Sequence, residues 1–358
     1  MKTNITYITA LGFHAGLGFL IFLNESLAKP YFYLALFYFM YRIITVADNK
    51  KTLEVLKACA YFVGAEVFFR TTRGAISYEA GKYLVILFIL MGMFYRGLSG
   101  KGYPYFIYLM FLIPSIFVAS TTLSFDANFR TNIAFVLSGP VCLGLAALFC
   151  YDKQVTFKQM SQILLYMLLP IIAHTVYVYF YAPDLKDMIT GTGSNRAAAG
   201  GFGANQVASA LGLGMFILGI RIFINSPTLS LKLFNTFLLV IMSYRAVITF
   251  SRGGVITAIL CMIIFLVVYY AQATSKVKTQ VIGGFVLFVT ALVLGWMISS
   301  SQADGYLEKR YANQNARGVE KEDITTGRKQ LFMEEIEGFL TNPFLGIGSS
   351  RAKDQRIE

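Results

Sequence analysis

Charged side chains are scarce in this sequence. Lysine, arginine, aspartate and glutamate make up 14% of its 358 residues, whereas about a quarter is usual in a soluble domain. Hydrophobic residues account for 56%, and they fall in runs long enough to cross a bilayer. The shortage of charge therefore excludes an ordinary soluble domain and indicates a polytopic membrane protein.

Several motifs that support other kinds of chemistry are also missing. No Asp-x-Asp pair is present to hold a metal-bound nucleotide sugar, and no His-Glu-x-x-His motif is present to bind zinc. Gly81-Lys82 is followed by Tyr83 and lacks the upstream glycine of a phosphate-binding loop. These absences argue against a metal-dependent nucleotide-sugar transferase, a zinc peptidase and an ATPase. They agree with an enzyme that needs neither metal nor cofactor.

Cysteine and histidine are rare as well. The four cysteines lie in or beside apolar runs, and no spacing between them resembles a metal site or a redox pair. The two histidines, His14 and His174, lie in apolar segments. We expect His174 to be a core residue rather than a catalytic base.

The formal net charge of +12 is spread over the loops that join the apolar runs. Membrane proteins place extra lysine and arginine in cytoplasmic loops, which explains part of this excess. We therefore predict no nucleic-acid partner.

The apolar runs predict an all-α membrane protein with about eleven transmembrane helices. We expect a transmembrane helical domain over residues 1–299 and a large periplasmic loop region over residues 300–358. The predicted spans are 5–23, 31–46, 53–69, 83–95, 103–119, 132–150, 163–181, 206–224, 233–250, 255–270 and 281–299.

The basic residues of the short loops predict an N-terminus on the cytoplasmic side. Lysines fall mainly in the loops that this orientation assigns to the cytoplasm, whereas the outward loops are rich in arginine. The planar guanidinium group suits bidentate binding of phosphate or carboxylate, so these residues are predicted to bind something anionic. The outward arginines are Arg70, Arg73, Arg130, Arg196 and Arg252.

Arg252 is the most informative of these arginines, because Ser251-Arg252-Gly253-Gly254 separates two apolar runs. A cation at the bilayer centre costs roughly 2.5–3.5 kcal/mol on insertion scales, so such residues are candidates for function. Ser251 is expected to cap the next helix, and Gly253 and Gly254 to let a ligand reach its first N–H groups. Taken alone, the pattern is more typical of an arginine that snorkels to the lipid headgroups.

Two outward segments lie on the same predicted side as Arg252. The first, residues 182–204, carries five glycines around Arg196. The second, residues 300–358, is the longest polar stretch of the chain.

An amphipathic helix is predicted within the second segment. Thr325 or Thr326 is expected to cap it, and Asn342-Pro343 to end it before a Gly-Ile-Gly turn. Such a helix would lie along the membrane interface, cover a cavity, or serve packing alone. Its apolar face consists of Leu331, Phe332, Ile336, Phe339 and Leu340.

Three pieces of sequence occur in a fixed order on this predicted side. They are the segment from Asn195-Arg196 to Asn205, the turn Ser251-Arg252-Gly253, and Gly327-Arg328 followed by Asn342-Pro343-Phe344-Leu345-Gly346-Ile347-Gly348. In these pieces, over roughly residues 196–348, the chain resembles the O-antigen ligase and O-antigen polymerase superfamily of bacterial envelope enzymes. The first seven helices resemble that family only in being apolar and multi-span.

The resemblance implies a GT-C-like fold in the bacterial inner membrane, with an active site that faces the periplasm. It implies transfer of a glycan from undecaprenyl diphosphate to an acceptor hydroxyl, without a metal. Arg196 and Arg252 match the family's arginines thought to hold the diphosphate. The acceptor would be lipid A-core, another glycan or a protein, and the sequence does not separate ligase from polymerase. Membrane lipids are the remaining expected partners.

Three further residues are candidates for substrate binding. Arg245 lies seven positions before Arg252 and would share its face on a continuous helix; it either extends the basic pocket or forms a structural ion pair. Asn205 either caps the eighth helix or contacts phosphate. Arg328 either orders its loop or reaches the ligand.

The acceptor-activating residue of the family is a histidine in the distal part of the large loop. No histidine follows His174 here, so we expect the sequence to be truncated and the native protein to continue past Glu358. Charges on an amphipathic helix usually face water, although a carboxylate can act as a base. The carboxylates that could do so on the predicted helix are Glu334, Glu335 and Glu337.

A transporter or flippase for an anionic lipid or polysaccharide is the alternative. It would use the same arginines to bind without chemistry. Such folds usually show paired repeats with basic residues near the membrane midplane. The sequence shows no such pairing, and its arginines cluster at one face.

Overall fold

The computed structural model describes residues 2–123, 128–182, 186–321 and 327–351. Over these ranges the chain is helical, and its only β-pairing is a single bridge between Gln314 and Glu320. The helices are α1 (Lys2–Leu23), α2 (Ala28–Thr45), α3 (Asp48–Thr71), α4 (Ala80–Arg96), α5 (Tyr103–Thr122), α6 (Phe129–Cys150), α7 (Phe157–Tyr181), α8 (Ala204–Ile220), α9 (Leu229–Val247), α10 (Arg252–Gln272), α11 (Ser275–Gln302), α12 (Tyr306–Tyr311) and α13 (Arg328–Thr341).

Each predicted span overlaps one of the helices α1 to α11, and the all-α class is confirmed. Within the described ranges, eight helices are long and apolar enough to cross a membrane, namely α1 and α5 to α11. The expected count of about eleven is not confirmed. Helix α3 is too polar, since it carries the ion pairs Glu54–Lys57 and Glu66–Arg70, and α4 has only 17 residues.

The described chain forms two compact units. Unit 1 comprises Met1–Ala35, Ala60–Ile76 and Phe157–Lys321. In this unit α1 and the end of α3 pack closely against α7. A Cβ atom on Gly18 would lie 2.1 Å from the carbonyl oxygen of Ala173, and one on Gly64 would lie 2.1 Å from that of Met167. Glycine at both positions lets the backbones approach, as is common between membrane helices.

Helices α8 and α10 make the closest contact near the predicted site. A Cβ atom on Gly254 would lie 2.2 Å from the carbonyl oxygen of Ala208, and one on Gly212 would lie 2.4 Å from that of Gly254. Ala208 and Gly212 are four residues apart, so one face of α8 presents two small residues to α10. This contact brings the first turns of the two helices side by side.

One end of unit 1 gathers several helix ends. There the C-terminal ends of α1, α3, α7 and α9 meet the N-terminal ends of α8 and α10. The contacts that establish this are Glu25–Tyr177, Thr71–His174, Arg70–Gln206, Arg245–Ala182 and Ser251–Asn205. We call it the arginine end; its arginines include Arg70, Arg196, Arg245, Arg252 and Arg310.

Unit 2 comprises Leu36–Cys59, Ser77–Thr156 and Glu322–Glu358. Within it, the turn after α13 packs on the end of α5. The hydroxyl groups of Ser349 and Ser115 lie 2.6 Å apart, and Thr122 Oγ1 donates to the carbonyl of Ile347. Gly348 has a φ of +96°, which favours glycine, and its backbone approaches Ala119 closely.

Helix α13 confirms the predicted helix. It begins at Arg328 after Gly327 in the N-cap position, and the expected caps Thr325 and Thr326 lie outside the described residues. It ends at Thr341, directly before Asn342-Pro343. The large apolar side chains of its predicted face are exposed, as in Leu331, Phe332, Phe339 and Leu340.

The α8–α10 contact predicts opposite effects for two adjacent glycines. Gly254→Ala should lower the free energy of unfolding by about 1–3 kcal/mol, because the new methyl group overpacks the contact with Ala208. Gly253→Ala should change it little, because nothing lies within 4 Å of its Cβ position. Thermal unfolding of the purified variants in one detergent compares the two. Equal melting temperatures for both variants would contradict this packing.

Candidate functional site

A short turn at the arginine end separates α9 from α10. Helix α9 ends at Val247, and α10 begins at Arg252. Phe250 has a φ of +60°, and the N–H of Ser251 is bound by Thr249 Oγ1 at 3.2 Å. The predicted break between the two apolar runs is therefore present, and Arg245 and Arg252 do not lie on one continuous helix. The glycine-free turn at residues 248–251 reverses the chain because Phe250 adopts the left-handed conformation.

The hydroxyl of Ser251 ties this turn to α8. Ser251 occupies the predicted N-cap position of α10, but its Oγ donates to Asn205 Oδ1 at 2.8 Å and does not cap α10. The prediction that Asn205 caps α8 is also wrong: Gly203 is the N-cap, and Asn205 is the second helical residue. The hydrogen bond joins two helix N-termini, where the first-turn N–H groups and the positive dipole ends favour anions.

The loop that carries Arg196 is attached to the same turn. The N–H of Asn195 donates to the carbonyl of Thr249 at 2.8 Å, and Asn195 Oδ1 accepts from the N–H of Ala198 at 3.1 Å. Arg196 is exposed, and among the described residues its guanidinium group has no hydrogen-bond partner. Arg196 and Arg252 therefore project from backbone segments that one turn holds together.

Gly200 and Gly201 shape the remainder of that loop. Their φ values of +70° and +78° lie in the left-handed region, which glycine adopts without strain. The N–H of Gly201 closes the loop by donating to the carbonyl of Arg196 at 2.9 Å. The glycines predicted around Arg196 thus form a compact loop directly before α8.

Arg310 is a further arginine at this turn. Its Nε donates to the carbonyl of Phe250 at 3.0 Å, and the guanidinium group of Arg252 donates to the carbonyl of Arg310 at 3.3 Å. Helix α12, which carries Arg310, is also fixed to α11 by an edge-to-face contact between Trp296 and Tyr311. No pattern in the polar segment distinguished Arg310 from its other basic residues.

Tyr311 lies beside these two guanidinium groups. Burial raises the pKa of its phenol, and the charges of Arg252 and Arg310 act in the opposite direction with smaller effect. The phenol is therefore protonated at neutral pH.

Arg70 approaches the first turn of α8 from α3. It donates to Gln206 Oε1 at 2.9 Å and pairs with Glu66 at 2.5 Å. Gln206 follows Asn205 in the chain, so a line of polar contacts leads from α3 across α8 to Ser251.

Arg245 differs from the exposed Arg196 and the half-buried Arg252. Its side chain is fully buried, and it donates to the carbonyl oxygens of Ala182 and Tyr179, each at 2.9 Å. Its guanidinium group also lies over the ring of Tyr179. A cation bound to the last carbonyls of a helix is favourable, and Arg245 therefore holds the C-terminal end of α7. The expected ion pair is not among the contacts of the described residues.

The remaining predicted site residues are placed as follows. Gly253 is exposed at the first turn of α10, whereas Gly254 faces α8. Arg328 is the exposed first residue of α13 in unit 2, and its role stays a prediction. In the described ranges, no three His, Cys, Asp or Glu side chains are grouped as metal ligands.

A comparison with protein families bears on this region. A family model described as O-antigen ligase matches residues 237–358. This part of the chain is similar to the O-antigen ligase family. The match covers the turn, Arg252, α10 to α13 and the Asn342-Pro343 motif, and it confirms the predicted superfamily. No curated protein and no solved structure matches the chain.

The family match and the apolar helices together support a broad class. The protein is an integral membrane protein, and the match over residues 237–358 supports a membrane glycosyltransferase of the O-antigen ligase type. Nothing in the match supports a transporter.

Arg245 is predicted to act on stability. Arg245→Ala should lower the free energy of unfolding by about 2–3 kcal/mol, because one buried and one part-buried carbonyl group lose their charged donor. Thermal unfolding in detergent measures the loss. Arg317→Ala, which removes an exposed arginine of the same unit, is the control and should have little effect. Wild-type stability of Arg245→Ala would contradict the structural role of this residue.

Proposed function

We propose that the protein transfers a glycan from undecaprenyl diphosphate to an acceptor hydroxyl at the arginine end. The observation that supports this most directly is the joining of two helix N-termini by Ser251 and Asn205, with Arg252 at the first position of α10. A diphosphate on a membrane lipid is the anion that such a site suits, since helix N-termini and arginine forks both bind phosphate.

The chemistry requires stabilisation of a leaving group. The acceptor oxygen forms a bond to the anomeric carbon, the bond from that carbon to the diphosphate oxygen breaks, and the acceptor hydroxyl loses its proton. Negative charge develops on the departing diphosphate, and preorganised donors aimed at that charge lower the barrier. Arg196 and Arg252 would supply these donors without a metal, together with the N–H groups of the first turn of α10, where Gly253 leaves open space.

Other residues take supporting roles in this proposal. Asn205 and Gly254 hold α10 against α8, and Arg245 holds the end of α7 beside the turn. Arg310 fixes the carbonyl of Phe250 and so the conformation of the turn. The role of Arg328 in unit 2 stays a prediction: it either orders its loop or reaches a ligand.

The setting is the bacterial inner membrane, with the arginine end facing the periplasm. The acceptor is lipid A-core, a growing glycan or a protein hydroxyl.

Loss of either Arg196 or Arg252 is predicted to stop transfer. Arg196→Ala and Arg252→Ala should each lower the rate by at least about 100-fold, because a donor to the leaving group is removed. Arg252→Lys should restore only part of the rate, because an ammonium group cannot bind bidentately. Purified protein with lipid-linked glycan and acceptor, followed by gel analysis of the product, measures the rate. Arg317→Ala is the matched control with an exposed arginine, and normal transfer by both alanine variants would contradict the site.

Transfer should also continue without divalent metal. Addition of excess EDTA to the purified enzyme should leave the rate unchanged, because arginines take the place of a metal at the leaving group. Loss of activity that returns on adding Mg²⁺ or Mn²⁺ would contradict this prediction.

The same assay separates a transferase from a flippase. A transferase releases free undecaprenyl diphosphate in proportion to the glycan transferred, whereas a flippase leaves the glycan on its lipid. Movement of intact donor across a vesicle membrane without release would contradict the proposal.

A further inference from the structure

Glu25 is a carboxylate at the arginine end with a fixed position. It lies in the turn between α1 and α2, is exposed, and accepts a hydrogen bond from Tyr177 at 2.5 Å through Oε1. Tyr177 itself is fully buried in α7. Among the described residues this is the one hydrogen bond that the carboxylate makes, so Oε2 is available to a ligand.

Tyr177 connects Glu25 to the Arg196 loop. The phenol oxygen of Tyr177 holds Glu25, and its ring packs against Gly200, whose built Cβ would lie 3.3 Å from Cε1. Gly201 is in turn closed onto the carbonyl of Arg196. One buried side chain therefore sets the positions of an exposed carboxylate and of the loop that carries an exposed arginine.

Two other carboxylates near this end, Glu66 and Glu308, have different surroundings. Glu66 is paired with Arg70, and Glu308 accepts from the hydroxyl of Ser300. Glu25 thus combines exposure, a fixed orientation and a connection to the Arg196 loop.

A carboxylate next to a phosphate-binding loop is suited to a sugar. Its charge repels phosphate, but its oxygens accept hydrogen bonds from hydroxyl groups, and such charge-assisted bonds are the stronger kind. In a glycan linked to a lipid diphosphate, the first sugar is attached directly to the phosphate that the arginines would bind. Its hydroxyl groups would then lie within the region between Arg196 and Glu25.

We infer that Glu25 binds a hydroxyl group of the sugar attached to the diphosphate and so selects the glycosylated donor. This inference rests on the proposed function. It makes Glu25 a specificity-determining residue, with Tyr177 as its positioning residue, and it assigns no proton transfer to either.

Two binding probes test the inference. The first is a lipid-linked oligosaccharide on undecaprenyl diphosphate, and the second is undecaprenyl diphosphate without sugar. Binding of each to the full chain in nanodiscs is measured by thermophoresis. Glu25→Ala should weaken binding of the first probe by about tenfold or more, the loss of one charged hydrogen bond, and leave binding of the second unchanged. Arg252→Ala should weaken both.

Two conservative variants keep the test independent of folding. Glu25→Gln retains an acceptor for Tyr177 but loses the charge, and it should weaken only the glycosylated probe, by less than Glu25→Ala does. Tyr177→Phe keeps the carboxylate of Glu25 but removes the hydrogen bond that orients it. It should also weaken binding of the glycosylated probe only. Glu320→Ala, an exposed carboxylate of unit 1 outside these contacts, is the control and should change neither probe.

Each outcome has a defined meaning. The inference would be overturned if Glu25→Ala and Glu25→Gln bound the glycosylated probe as the wild type does, or if they weakened binding of both probes equally. Either result would leave the proposed diphosphate site intact. Failure of wild-type protein to bind the sugar-free probe would contradict the proposed function instead.

Discussion

The contact between the first turns of α8 and α10 is the constraint on which the arginine end depends. Gly254 and Gly212 let the two backbones approach, and the Ser251–Asn205 hydrogen bond fixes their register. Two positive helix ends normally repel each other. Holding these two helix ends side by side favours binding of an anion between them. The close packing of α8 against α10 therefore forms the anion site at their N-termini.

Other elements converge on the turn that precedes α10. The Arg196 loop donates to Thr249, and Arg310 donates to Phe250, so residues far apart in the chain are positioned by a few backbone carbonyls. Arg245 is fully buried and binds the end of α7. Its cation therefore stabilises the helix packing around the turn and does not add to the positive charge that a ligand would meet. Buried and exposed arginines at one end thus have separate tasks.

Much of this arrangement was predictable from periodicity and from local motifs. Long apolar runs predicted the helices, and Ser251-Arg252-Gly253-Gly254 predicted where α10 begins, because capping and glycine preferences are local. The hydrogen-bond partner of a side chain was not predictable, because tertiary contacts decide between competing partners. Asn205 and Ser251 bind each other instead of capping helices. Arg310 was missed because only the position of α12 brings it to the turn.

The location of the diphosphate tests this account most directly. A cryo-EM structure of the full chain in nanodiscs with bound undecaprenyl diphosphate would show it. We expect phosphate oxygens within hydrogen-bond distance of the guanidinium groups of Arg196 and Arg252 and beside the first turn of α10. A diphosphate bound elsewhere, with both guanidinium groups turned away from it, would contradict the account.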